Sequence, residues 1–115
     1  MLTLDGIRSL GANTDEGLAR CLNNEAFYLR MVGMALQDKN FDELKGAVEG
    51  ADSAAAFACA HALKGVLGNL SLTPLFDPAA RLTEVLRGKT GPLPPEAAPL
   101  TAALFDALAS FRALA

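Results

Sequence analysis

Residues 52–70 read DSAAAFACAHALKGVLGNL, and the spacing of their apolar positions decides the fold. Asp52 is a helix-capping residue type placed just before a run of strong helix formers. Ala56, Ala60, Leu63, Leu67 and Leu70 recur at steps of four and three, which draws one apolar seam along a helix. At about 100° per residue, His61 points almost directly away from that seam, on a face shared with Ala54, Phe57, Ala58, Lys64, Gly65 and Gly68. The chain's one histidine is therefore expected on the open side of a helix whose other side is buried.

The flanking segments carry the same kind of signal. Asn13 or Thr14 can cap a short helix over 14–22, with Asp15 and Glu16 at its positive end. Asn24 can cap a longer one, EAFYLRMVGMALQ, within 24–38. Asn40 and Glu43 have the spacing of a capping box before a helix at 41–50, in which Phe41, Leu44, Val48 and Ala51 recur at steps of three and four. Thr73-Pro74 opens a helix over 73–87 with Leu75, Ala79, Leu82 and Leu86 on one face. Pro78 inside it predicts a kink, or a restart capped by Asp77. RGKTGPLPP, residues 87–95, reads as a loop, and Ala97, Leu100, Leu104, Leu108 and Phe111 form the stripe of a last helix over 95–113. Aromatic and β-branched residues are sparse and no strand pattern appears. The expectation is an all-α antiparallel four-helix bundle built from 24–38, 53–70, 73–87 and 95–113, with 14–22 and 41–50 as shorter additions. Residues 1–12 are left open, since Gly6 and Gly11 suit helix or loop.

Composition narrows the function classes. At 115 residues the chain fits one domain, 1–115, with a core over about 14–113. Its 51% apolar and 20% charged residues are ordinary for a globular protein. A net charge of −3 with scattered basic residues argues against a nucleic-acid partner. The longest apolar run, Ala54 to Ala60, is too short for a membrane span, and Asp5 interrupts what would be the core of a signal peptide. A cytoplasmic monomer without a membrane partner is expected. Cys21 and Cys59 are too few for a disulfide framework or a zinc site and read as buried thiols, while Met31 and Met34 read as core filler. Gly88-Lys89-Thr90 resembles the end of a phosphate-binding loop, but its first glycine would fall at Thr83, and the segment follows a helix rather than a strand. The acidic pairs Asp15-Glu16 and Asp42-Glu43 sit where a helix dipole favours them.

Chemistry concentrates around His61. Glycine inside a helix costs about 0.8–1 kcal/mol relative to alanine, and this helix carries Gly65 and Gly68 on its outward face. Either a neighbouring helix approaches there, or another protein must come close to the imidazole. Lys64, three residues on, is within reach of any negative charge placed on the ring. A neutral imidazole has a nucleophilic nitrogen, and a phosphoryl group bound to it adds nearly two negative charges for the lysine to steady.

The stretch AHALKGVLGNL, Ala60 to Leu70, resembles the H-x-L-K-G signature of histidine-containing phosphotransfer (HPt) domains, including the later glycine and asparagine. TDEGLARCLNNEAFYLRMVGMALQDKNFDEL resembles the first two helices of that family, and PAARLTEVLRG the helix after the histidine, so the likeness spans about 14–88. The resemblance implies that His61 is the phosphoryl acceptor, through Nε2. It implies that Lys64 steadies the phosphoryl group and Gly65 gives clearance for a receiver domain, with Gly68 and Asn69 shaping the helix or the docking face. Phe57, Ala54, Ala58, Gly65 and Gly68 would form the docking footprint. Such a protein is a phosphocarrier, not an enzyme. It needs no cofactor of its own, because the Mg²⁺ belongs to the receiver domain. The implied partners are the receiver domain of a response regulator, a hybrid sensor histidine kinase, or both. Two rivals differ. A sensor-kinase dimerisation domain follows its histidine with an acidic residue, where this chain has Ala62, Leu63 and Lys64. A helical adaptor that binds a regulator without accepting phosphate would use the same face but not His61.

Overall fold

The computed structural model describes all 115 residues and contains seven helices: α1 (Leu4–Ser9), α2 (Thr14–Arg20), α3 (Glu25–Leu36), α4 (Lys39–Glu49), α5 (Ser53–Asn69), α6 (Thr73–Leu86) and α7 (Ala97–Arg112). Expected caps hold at three starts: Asn13, Asn24 and Asp52 accept from the backbone N–H of Glu16, Phe27 and Ala55. Two differ. The cap of α4 is Asp38, which accepts from the Asn40 N–H at 2.8 Å, so the Asn40–Glu43 box is not used. A carboxylate two residues earlier lets α4 begin directly after α3. In α6 Thr73 is the first helical residue rather than the cap, and the helix runs unbroken through Pro78 to Leu86 instead of restarting at Asp77. Pro78 lies in the second turn, where it removes one bond, to Pro74, near an end already short of partners.

The bundle is formed by α4, α5, α6 and α7, with α5 packed along α4 and α6, and α6 along α7. Phe41 of α4 meets Phe105 of α7 edge to face at 6.2 Å, closing the ring. This corrects the expectation that the segment 24–38 belongs to the four-helix core and 41–50 is peripheral. Phe41 and Leu44 are buried between bundle helices, whereas Tyr28, Val32, Ala35 and Leu36 of α3 are buried over its end. Met34 is accordingly exposed (59%), not core filler. The seam of α5 is buried as read, with Ala56, Ala60, Leu63 and Leu67 fully so. Leu75, Ala79, Leu82 and Leu86 face it from α6, and all the buried apolar residues join one contiguous cluster. Cys21 and Cys59 are buried free thiols.

Helices α1 to α3 gather at the end of the bundle where α5 turns into α6. Ser71 closes α5 in the left-handed region (φ 55°), with the Leu72 N–H on the Leu67 carbonyl and the Ser71 N–H on the Gly68 carbonyl. That is a Schellman closure with serine in the usual glycine position. Side chains compensate. Ser71 Oγ donates to Glu16 (2.8 Å) and accepts from Arg20 (2.7 Å), and Arg20 also donates to the Gly68 carbonyl (2.9 Å). The Ser71 hydroxyl, more than the Arg20 charge beside it, holds the Glu16 carboxyl below the usual carboxylate range.

Tyr28 adds a buried strut, its hydroxyl donating to the Leu70 carbonyl at 2.8 Å. Burial, with a lesser contribution from Cys21, pushes this phenol up to about 12. Between about pH 10 and 12 the unfolded chain loses a proton that the folded chain keeps. The contribution is therefore complete below pH 10 and falls by roughly 2–3 kcal/mol as pH rises through that window. Urea midpoints measured from pH 9 to 12 should drop in the wild type more than in Tyr28→Phe. The chain has one tyrosine, so phenolate absorbance assigns the titration. Equal slopes for both proteins would show that Tyr28 does not set the alkaline limit.

Candidate functional site

His61 sits at the middle of α5 and is exposed, opposite the buried seam. Its ring stacks on that of Phe57, one turn earlier, with centroids 5.6 Å apart and planes 16° from parallel. A near-parallel stack restricts how the imidazole can turn, leaving its edge toward solvent. Lys64 is half-buried on the same face and belongs to none of the ion pairs Arg8–Asp5, Arg8–Asp15, Arg20–Glu16 and Arg87–Glu84. Ala54 and Ala58 are exposed on the turns before the histidine.

The two glycines separate. A Cβ at Gly65 would have open space around it, so nothing inside the molecule requires glycine there. A Cβ at Gly68 would meet the Phe76 ring at 3.0 Å. Of the two readings of the outward glycines, a neighbouring helix is the one that holds at Gly68, where α6 lays Phe76 against it.

Arg20, Phe76 and Asn69 join His61, Lys64, Gly65 and Gly68 around one shallow depression. Arg87, at the end of α6, places its guanidinium over the Phe57 ring at 5.3 Å and donates to both carboxylate oxygens of Glu84, at 3.3 and 2.8 Å. Those hydrogen bonds hold the Glu84 carboxyl below the usual carboxylate range, and the charges of Lys64 and His61 act in the same direction. Arg20, Phe76, Glu84 and Arg87 were not read from the sequence. The first comes from α2, and the other three reach the histidine face only through the α5–α6 register.

A family model for the Hpt domain matches residues 30–111, most of the chain, with all of α4 to α6 and α7 but for its last residue. The chain belongs to the Hpt domain family. No curated protein and no solved structure shows a significant match to it. Hpt domains are phosphocarrier modules of two-component signalling that interact with receiver domains, and the helical bundle found here agrees with that family. The match begins within α3, so α1, α2 and Arg20 lie outside it. No helix of this Hpt protein is long and apolar enough to cross a membrane.

Proposed function

We propose that this protein accepts a phosphoryl group on His61 and exchanges it with the aspartate of a receiver domain in a phosphorelay. The observation that carries the reading is a single exposed imidazole stacked on Phe57 in mid-helix, beside an unpaired lysine and a glycine with open space. In the transfer, Nε2 shares its lone pair with phosphorus while the aspartyl carboxylate leaves with the electrons of the broken P–O bond. Nδ1 keeps its proton, so the phosphorylated ring is itself a leaving group for the reverse step. Lys64 offsets the charge that arrives. Mg²⁺ is expected on the receiver, not on this chain. Ala54, Phe57, Ala58, Gly65 and Gly68 supply a small apolar footprint on which the receiver docks.

The test is incubation with a phosphorylated receiver domain, followed by mapping of the label. Acid-labile, alkali-stable label on the peptide that contains His61 is the expected result. Binding without label would favour the adaptor reading, in which the same face docks a regulator and no phosphoryl group moves.

Gly65 offers a second check. Gly65→Leu should raise stability by about 0.5–1 kcal/mol, because it removes a helical glycine at a position whose Cβ has open space. The same side chain in a close interface should slow transfer by about fivefold to 150-fold, the effect of 1–3 kcal/mol of overpacking. Denaturant melts and single-turnover transfer rates measure both; unchanged rates would remove the clearance argument.

A further inference from the structure

Two contacts fix how α6 lies along α5. Gly68 faces Phe76 and Phe57 faces Arg87, which are eleven residues apart on each helix. In that antiparallel register His61, four residues after Phe57, comes level with Thr83, four before Arg87. Thr83 is buried, and the next residue, Glu84, carries an exposed carboxylate one residue from the level of the histidine. That carboxylate grips Arg87 from two sides and holds the guanidinium over Phe57, one turn from the imidazole.

Resting on the phosphotransfer reading above, we infer that Glu84 is a positioning residue that lowers the affinity of His61 for the phosphoryl group, so that the group is passed on rather than stored. It acts in two ways. Its charge opposes the incoming dianion, and its pairing with Arg87 keeps that cation from joining Lys64 at the phosphoryl oxygens. Lys64 and His61 both help hold the Glu84 carboxyl below the usual carboxylate range, consistent with that register. The pair is solvent-exposed, with half or more of each side chain accessible, so the effect is modest and sensitive to salt.

The experiment measures how label divides at equilibrium between this protein and a receiver domain, for wild type, Glu84→Gln and Arg87→Gln, at low and high ionic strength. Glu84→Gln should shift the division toward phosphohistidine by about two- to fivefold at low salt, and the shift should shrink at high salt. Arg87→Gln should shift it the other way, since Glu84 is then unneutralised. A pair that only secures the end of α6 would change melting in both variants and leave the division alone. Labelled wild type with an unchanged division in Glu84→Gln overturns this inference and spares the phosphotransfer reading. Wild type that takes no label overturns both.

Discussion

Replacing His61 with glutamine should abolish phosphoryl acceptance and change unfolding free energy by less than about 0.5 kcal/mol. The first half follows from chemistry. Glutamine fills similar volume and keeps polarity, but its amide nitrogen has no available lone pair, so no N–P bond can form. The second half follows from position. The imidazole is exposed, lies outside the buried cluster and stacks on the Phe57 ring. Losing that stack costs a fraction of the about 0.5–1.5 kcal/mol seen for well-packed aromatic pairs, and glutamine's better helix propensity offsets part of it. Label transfer from a phosphorylated receiver and denaturant unfolding measure the two halves separately. Residual label in the variant would move the acceptor elsewhere, and destabilisation above about 2 kcal/mol would make His61 a structural residue.

The histidine face was legible because a helix repeats. Once the seam from Ala56 to Leu70 is recognised, the direction of every other side chain on α5 follows from angle alone. That is enough to bring His61, Lys64 and Gly65 together. It is not enough to judge Gly68, whose neighbour Phe76 is on another helix. The three-residue link from Leu70 to Leu72 does hold that information. Folding two antiparallel helices about so short a turn sets Arg87 over Phe57, and the same register brings Thr83 and Glu84 to the level of His61. Arg20 had no such route. Its place depends on α2 docking at the end of α5, which is fixed by hydrogen bonds to Gly68 and Ser71, 48 and 51 residues away in sequence.

The same limit explains why α3 and α4 exchanged roles. Both are amphipathic and of similar length, and periodicity gives the buried face of each but not what covers it. What places α3 is its buried face, Tyr28, Val32, Ala35 and Leu36, which packs over the bundle end rather than along α5 and α6. Arg112 of α7 then donates to the carbonyl of Leu36 at 2.9 Å and lies over Phe41, tying the junction of the two helices to the bundle end.

The junction of α2 and α3 should make Gly17→Ala the most destabilising small substitution in the chain, although helix propensity alone predicts a gain of about 0.8–1 kcal/mol. A Cβ at Gly17 would lie 2.5 Å from Cε1 and 2.6 Å from the hydroxyl of Tyr28, closer than atoms can pack. Tyr28 cannot yield cheaply. It is fully buried, and its hydroxyl is spent on the Leu70 carbonyl at the end of the histidine helix. Displacing the ring strains the core and strands a buried carbonyl, each costing about 1–3 kcal/mol, so a net loss of roughly 2–4 kcal/mol is expected. Two responses are open to the molecule and hydrogen exchange separates them. If α2 swings away, its amides and those around Ser71 lose protection while the α5 seam keeps its own; if Tyr28 moves, protection falls across α3 and the end of α5. Combining Gly17→Ala with Tyr28→Leu should recover at least about 1 kcal/mol relative to the sum of the single changes, because the clash disappears with the ring. Additive effects would place the cost in α2 itself and free Gly17 from Tyr28.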